Sequence, residues 1–172
     1  MSALQELLVD QMKDMIHAES QAVKAYPKMI RAAKNPKLKQ ALQKHLEETK
    51  TQVDRLKQGF EILGEKAKGK TCRAMEGLVA ETLEHIEEGR AKPEVIADLA
   101  LVSVAQRMEH YEISAYGTAR TIAETLGNKK LARLLQQTLA EEEKTDKLLT
   151  NISPPLLQEG NQEPEEGQEE EE

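Results

Sequence analysis

The chain has 172 residues, of which 38% are hydrophobic but only 2% aromatic, and its formal net charge at pH 7 is −7. This length allows one domain with a hydrophobic core, and a chain rich in Glu, Lys, Gln, Ala and Leu but poor in aromatic residues favours an all-α fold over a β-sandwich. The negative charge disfavours a nucleic-acid partner, because proteins that bind nucleic acid neutralise phosphates with Lys and Arg.

The first residues, MSALQELLVDQMKD, contain acidic side chains and no uninterrupted apolar run. We therefore expect no signal peptide, no membrane-spanning segment, no membrane partner and a cytoplasmic location. The single cysteine, Cys72, cannot form an internal disulfide and fits a reducing compartment.

Apolar residues recur at helical spacing in four long segments, which predicts four main helices. A shorter amphipathic segment between Gly64 and Pro93 predicts a minor helix within a long crossover. The predicted bounds are about 4–33, 38–63, 75–86 for the minor helix, 94–126 and 129–151. Two antiparallel hairpins joined by one long crossover form a ferritin-like four-helix bundle.

The last main helix is predicted to end before the Ser-Pro-Pro sequence at 153–155. Beyond this point the chain consists mostly of Pro, Gly, Gln and Glu and ends in EPEEGQEEEE, so it offers almost nothing to bury. We therefore predict one domain over residues 1–153 and a disordered acidic tail over residues 154–172.

An internal repeat relates the two hairpins. The segment AESQAVKAY aligns with MEHYEISAY and matches Glu19 with Glu109, whereas LEETKTQ aligns with AEEEKTD and matches Glu48 with Glu142. Two copies of one unit predict a pseudo-twofold axis. A site on that axis would receive a matching residue from each of the four main helices.

The facing of each acidic side chain follows from a rotation of about 100° per residue along a helix. Glu19 and Glu142 fall inside the apolar stripes of their helices. Glu109 lies in the middle of its stripe, and Glu112 lies at the margin. These positions predict that acidic side chains converge inside the bundle.

The second main helix fits this pattern least well. Glu48 lies at the edge of its apolar stripe, whereas His45 and Gln52 lie nearer the centre. We interpret His45 and His110 as residues that form hydrogen bonds at the edge of the core rather than as metal ligands.

Buried carboxylates without a partner become protonated, pair with a cationic side chain or bind a metal ion. Lys and Arg are confined to the polar faces of the helices, so converging carboxylates predict bound metal. Oxygen ligands suit hard ions such as Fe(III), Mn(II) or Mg(II), and carboxylates can bridge two of them. We predict two metal ions, iron or alternatively manganese. Tyr26 and Tyr116 are interpreted as core residues, with hydrogen bonds from their hydroxyls to the ligand carboxylates as the alternative.

Four stretches of the chain form a recognisable pattern: HLEETKTQVDRL, CRAMEGLVAE, AQRMEHYEISAYGTARTIAETLG and LLQQTLAEEEKTDKLL. Through these stretches the chain resembles, from about Leu4 to Leu149, the YciF-type branch of the ferritin-like superfamily, whose members are small bacterial stress-associated proteins. The resemblance implies a cytoplasmic bundle that forms a homodimer. In the wider superfamily, two helices each provide one Glu to the metal centre, and the other two each provide a Glu-x-x-His pair.

The resemblance also implies a set of metal ligands by position. Both histidine places of the superfamily pattern hold threonines, Thr51 and Thr145, so the residues directly after them are candidate replacements. The implied set is Glu19 and Glu109 as the single glutamates, Glu48 and Glu142 as the first residues of the pairs, Gln52 and Asp146 as the replacements, and Glu112 as an additional carboxylate.

Two functions of different classes follow. The first is a stress-associated protein whose di-metal carboxylate centre sequesters metal or performs peroxide or ferroxidase-type redox chemistry, which would make the chain an oxidase or peroxidase. The second is a non-enzymatic helical stress protein that acts through protein–protein contacts, with a structural or vestigial metal site. Because both usual histidine ligands are replaced, the sequence does not decide whether the metal centre is redox-active. We assign no catalytic residue and expect no organic cofactor.

Overall fold

The computed structural model describes residues 1–162, and all regular structure within them is helical. Five helices follow one another: α1 (Ala3–Ala32), α2 (Pro36–Leu63), α3 (Arg73–Gly89), α4 (Glu94–Thr125) and α5 (Lys129–Gly160). Four long helices, with the short α3 in the crossover, confirm the predicted bundle. Within this part of the chain, no helix combines the length and the apolar character needed to cross a bilayer.

Local sequence signals set the ends of the helices. Ser2 and Gln5 form a capping box at the start of α1. The Asn35 side chain caps α2, which therefore begins two residues earlier than predicted. Gly64 ends α2 with a φ of 68°, in the left-handed region that other residues rarely adopt. The Asn128 side chain caps α5.

The helices pack as two hairpins, α1 with α2 and α4 with α5, while α3 lies against α1 and α4. Two apolar clusters fill the interior, and each of the four long helices contributes to both. Between the clusters, each long helix carries buried polar residues near its middle. We call this set the polar layer; it comprises Glu19, His45, Thr49, Gln52, Glu109, Glu112, Glu142 and Thr145.

Helix α5 ends at Gly160 rather than at about Asn151, so the prediction that the Ser-Pro-Pro sequence ends it is wrong. Both prolines lie inside the helix. Ile152 and Leu156 on either side of them are buried in an apolar cluster, and this burial stabilises the extension. The predicted start of the tail at residue 154 therefore lies inside α5, whereas residues 163–172 lie outside the described residues.

Candidate metal centre

Each of the four long helices places an ionisable side chain in the polar layer. These side chains are Glu19 on α1, His45 on α2, Glu109 and Glu112 on α4, and Glu142 on α5, and each is at most 2% exposed. One potential ligand atom from each of His45, Glu109, Glu112 and Glu142 lies within 4.8 Å of the others. Three of the predicted carboxylates, Glu109, Glu112 and Glu142, thus come together with His45, whereas Glu19 is buried in the same layer outside this group.

His45 lies at the middle of this group. Its Nε2 is 3.2 Å from Glu109 Oε2 and 3.3 Å from Glu142 Oε2. On the other side of the ring, Nδ1 lies 3.0 Å from Thr145 Oγ1 and 3.4 Å from Glu48 Oε2. The imidazole therefore bridges two buried carboxylates on one side and a hydroxyl and a more exposed carboxylate on the other.

Two buried tyrosines hold carboxylates of the centre in a crosswise arrangement. The Tyr26 hydroxyl on α1 donates a 2.6 Å hydrogen bond to Glu109 Oε1 on α4. The Tyr116 hydroxyl on α4 donates in turn to Glu19 Oε1 on α1. Because the repeat matches Tyr26 with Tyr116 and Glu19 with Glu109, these bonds follow the predicted pseudo-twofold relation. The tyrosines are core residues whose hydroxyls also orient carboxylates of the centre.

An ion pair closes the edge of the centre between α2 and α5. Arg55 donates two hydrogen bonds of 2.6 Å to the two carboxylate oxygens of Glu141. Gln52 donates to Glu142 and, at 3.1 Å, to Glu141. Arg55 therefore pairs directly with Glu141, through both carboxylate oxygens, and forms no direct bond with the buried Glu142.

Burial and mutual repulsion raise the pKa of three carboxyl groups in the centre. Burial raises the pKa of Glu19 from 4.5 to about 7. Burial, followed by the charges of Glu19 and Glu142, raises the pKa of Glu112 well above its ordinary value. Burial also raises the pKa of Glu142 well above its ordinary value, although the close contact with His45 opposes this shift. Without a bound cation, these groups hold protons at a pH where exposed glutamates have lost them.

His45 and Glu109 behave as a charged pair. Burial alone would lower the pKa of His45, but the charge of Glu109 and contacts with both bridged carboxylates raise it well above 6.5. Burial alone would raise the pKa of Glu109, but the neighbouring imidazolium lowers it below 4.5. Within residues 1–162, no Lys or Arg nitrogen lies within 4 Å of the carboxylates of Glu19, Glu112 or Glu142. One imidazolium is thus the nearest positive charge for a group of four buried acids.

Several atoms of the centre are buried without a hydrogen-bond partner among the described residues: Glu19 Oε2, Glu109 Oε2, Glu112 Oε1, Glu142 Oε2 and His45 Nε2. Nε2 approaches two of these oxygens without the alignment of a hydrogen bond. Each unsatisfied buried group costs about 1–3 kcal/mol, so a cation that binds between His45, Glu109, Glu112 and Glu142 would stabilise the folded chain. Carboxylate oxygens and an imidazole nitrogen are the ligands of di-iron and di-manganese centres in helical bundles. The residues therefore fit such a centre.

The comparisons with known proteins agree with this architecture. Residues 3–162 match the family described as Domain of unknown function (DUF892). Over 154 residues, the chain is 42% identical to Protein YciF of Escherichia coli strain K12, an alignment that covers 89% of this chain and 92% of that protein. The chain belongs to the DUF892 family.

Solved structures share the fold of this DUF892 chain. The crystal structure of the E. coli stress protein YciF has a TM-score of 0.87 at 41% identity, covering 92% of this chain and 99% of that one. YcfI of Rhodopseudomonas palustris has a TM-score of 0.82 at 41% identity, with coverage of 87% and 94%. A Bacillus anthracis structure, described as ferritin like, diiron-carboxylate proteins, has a TM-score of 0.68 at 16% identity, with coverage of 89% and 99%. The resemblance to the YciF-type branch is confirmed, and the last likeness shows a ferritin-like fold.

Three carboxylates predicted as ligands for this DUF892 chain are not among the four residues whose ligand atoms lie within 4.8 Å of one another: Glu19, Glu48 and Asp146. The Glu48 side chain is 22% exposed and also approaches Lys44, with 3.3 Å between Nζ and Oε1. The Asp146 side chain is 21% exposed and accepts a 2.9 Å hydrogen bond from Gln106. Glu19 is nevertheless buried in the polar layer, as are the predicted ligands Gln52, Glu109, Glu112 and Glu142.

His45 is buried inside the polar layer and not at the edge of the core, although it has hydrogen-bonding partners as predicted. The helical periodicity of α2 already indicated this buried position, because His45 lies nearer the centre of the apolar stripe than Glu48. Thr145 occupies a histidine place of the superfamily pattern, and its hydroxyl contacts this imidazole from the opposite helix. His110 is not at the core edge either, because its side chain is 65% exposed and bonds to a backbone carbonyl of its own helix.

Proposed function

We propose that this chain binds two metal ions, iron or manganese, in the polar layer, and that it sequesters them or uses them in peroxide or ferroxidase-type redox chemistry under stress. The observation that carries the proposal is the convergence of buried, unpartnered ligand atoms from three of the long helices, α2, α4 and α5. The fourth long helix, α1, places the buried Glu19 in the same layer. Two comparisons support it, since the E. coli relative is described as a stress protein and a fold neighbour as diiron-carboxylate.

The proposed ligands are the carboxylates of Glu19, Glu109, Glu112 and Glu142 and the Nε2 atom of His45. A neutral His45 that carries its proton on Nδ1 can donate it to Thr145 Oγ1 or to Glu48. This tautomer leaves the Nε2 lone pair free for a metal ion, which is how protein partners commonly orient a ligand histidine. Glu48, Gln52 and Asp146 stay predictions as further ligands.

Bound iron or manganese would supply the electron transfer that oxygen or peroxide chemistry requires. The chain's own residues would set the surroundings of the reaction. Tyr26 and Tyr116 hold Glu109 and Glu19 in fixed orientations through their hydroxyls. The apolar clusters on both sides of the polar layer exclude water from the centre.

Metal analysis combined with turnover assays on the full chain tests this proposal. We expect purified protein to bind Fe(II) or Mn(II), and the metal-loaded protein to consume peroxide or to oxidise Fe(II) faster than free metal does. Glu142→Gln should lose both properties, whereas Glu143→Gln, an exposed neighbour on α5, should keep them. Bound metal without turnover would indicate storage or a structural site and favour action through protein contacts, and absence of metal binding would contradict the proposal.

A homodimer and a cytoplasmic location, both implied by the family resemblance, belong to the same proposal. Light scattering of the full chain tests the first. A mass of one chain across the accessible concentration range would contradict it. Fractionation of cells that produce the chain tests the second, and recovery outside the cytoplasm would contradict it.

A further inference from the structure

A cavity of about 660 Å³ lies at the end of the bundle where α1 and α3 end and α4 begins. No residue of the polar layer lines it, so it is separate from the candidate metal centre. Part of its lining is apolar and includes Leu83 and Ile86 on α3 and the buried Leu101 on α4. Five exposed cationic side chains also line it: Lys28, Arg31, Lys34, Arg90 and Lys92.

The charge of this cavity is opposite to that of the chain, which carries a net −7. Only two carboxylates line the cavity, and each lies near one of its cations. Glu87 lies 2.9 Å from Arg90, and Glu94 lies 3.8 Å from Lys34. Lys28 and Arg31, one helical turn apart on α1, have no carboxylate within 4 Å among residues 1–162. The cavity therefore has unpaired positive charge beside apolar surface.

Two further groups at the cavity favour an anionic or hydrogen-bonding ligand. The half-buried His85 lines the cavity, and its Nδ1 is shielded from solvent without a hydrogen-bond partner in the described part of the chain. Helix α4 begins beside the cavity at Glu94, and no side chain caps its first turn. The backbone N–H groups at a helix start and the positive end of the helix dipole both attract anions.

We propose that this cavity binds a phosphate monoester whose alcohol part is apolar or aromatic. Arg31 can bind two phosphate oxygens through its guanidinium fork, and Lys28 adds a second unpaired charge. The apolar residues of α3 and α4 would contact the body of the ligand. A volume of about 660 Å³ falls within the range of pockets that hold small organic ligands. The proposal does not depend on metal binding.

Calorimetric titration of the full chain with three matched probes tests the proposal: 1-naphthyl phosphate, 1-naphthol and inorganic phosphate. The monoester combines the charge and the apolar body that the cavity accommodates, so we expect it to bind at least about tenfold more tightly than either part alone. In NMR spectra, the ring protons of His85 should shift on its addition. The His85 signal is assigned as the one absent from His85→Gln.

Variants of the cationic residues test whether 1-naphthyl phosphate binds in this cavity. The double variant Lys28→Gln, Arg31→Gln should weaken binding of 1-naphthyl phosphate at least about tenfold, because charge-assisted hydrogen bonds to the phosphate are lost. Arg133 is an exposed arginine on α5 that does not line the cavity, so Arg133→Gln should leave the affinity for 1-naphthyl phosphate unchanged. Titrations before and after passage over a chelating resin show whether a metal ion holds the phosphate instead.

Three outcomes would overturn the proposal. The first is no saturable binding up to about 10 mM monoester. The second is binding that the double variant retains at full strength. The third is binding that disappears with metal removal. The first two outcomes leave the proposed metal centre unaffected, and the third is separated from it by measuring the metal content of the variants of the polar layer.

Discussion

Replacing Glu19 with Gln should stabilise the metal-free protein above neutral pH. Burial raises the folded-state pKa of Glu19 from 4.5 to about 7, so between these values the folded chain holds a proton that the unfolded chain has lost. The stability that this proton contributes is fully present below pH 4.5 and is lost as the pH rises through 7. At about 1.36 kcal/mol per pKa unit, the shift corresponds to roughly 3 kcal/mol.

Gln resembles the protonated carboxyl group in size and charge, and its Oε1 can accept the hydrogen bond from the Tyr116 hydroxyl. Glu19→Gln and the wild-type chain should therefore have similar free energies of unfolding near pH 4.5. At pH 8 the variant should be more stable by roughly 3 kcal/mol. It will still lose some stability with rising pH, because Glu112 and Glu142 keep their raised pKa values.

Urea unfolding of the metal-free chain, followed by circular dichroism across this pH range, measures these free energies. Glu143→Gln is the matched control, because it removes the same charge from an exposed position on α5. Its free energy of unfolding should stay within about 0.5 kcal/mol of wild type at each pH. If Glu19→Gln follows the wild-type curve, or is less stable at pH 8, then Glu19 does not lie among buried carboxylates and the inferred convergence is wrong.

Three further substitutions test individual contacts by urea unfolding at neutral pH. Tyr26→Phe removes the hydroxyl that donates to Glu109 Oε1, so the free energy of unfolding should fall by about 1–3 kcal/mol; an unchanged value would show that the bond is absent. Leu156→Ala should lower the free energy of unfolding by about 2–4 kcal/mol, because Leu156 is buried. Leu157→Ala, at a 57% exposed position, should lower it by less than about 0.5 kcal/mol. Equal losses for the two variants would contradict the extension of α5. Arg55→Gln should cost about 1 kcal/mol by breaking the ion pair at the α2–α5 edge, and no loss would indicate that water replaces this pair.

Much of the fold and the acidic part of the centre could be predicted from the sequence, because both depend on helical periodicity. Apolar spacing identified the four long helices, and the repeat matched Glu19 with Glu109 across the hairpins. Since 100° per residue fixes which side of a helix a residue occupies, the buried positions of Glu109 and Glu142 followed from the apolar stripes around them.

Other features depend on contacts between segments that are distant in sequence. His45 lies on the correct face of α2, but its central place depends on Thr145 and on carboxylates from two other helices. The Pro-Pro pair suggested a helix end, yet burial of Leu156 in a tertiary cluster overrides this local preference. The cationic cavity gathers residues from the ends of α1 and α3 and the start of α4, which only the folded chain brings together.

The number of metal ions bound per chain tests the proposed centre most directly. Anaerobic titration with Fe(II), followed by desalting and elemental analysis, should give about two ions per chain for the wild type and for Glu143→Gln. The double variant Glu109→Gln, Glu142→Gln should remain helical by circular dichroism and bind fewer ions. Uptake of no iron by the wild type, or retention of two ions by the folded double variant, would contradict a di-metal centre in the polar layer.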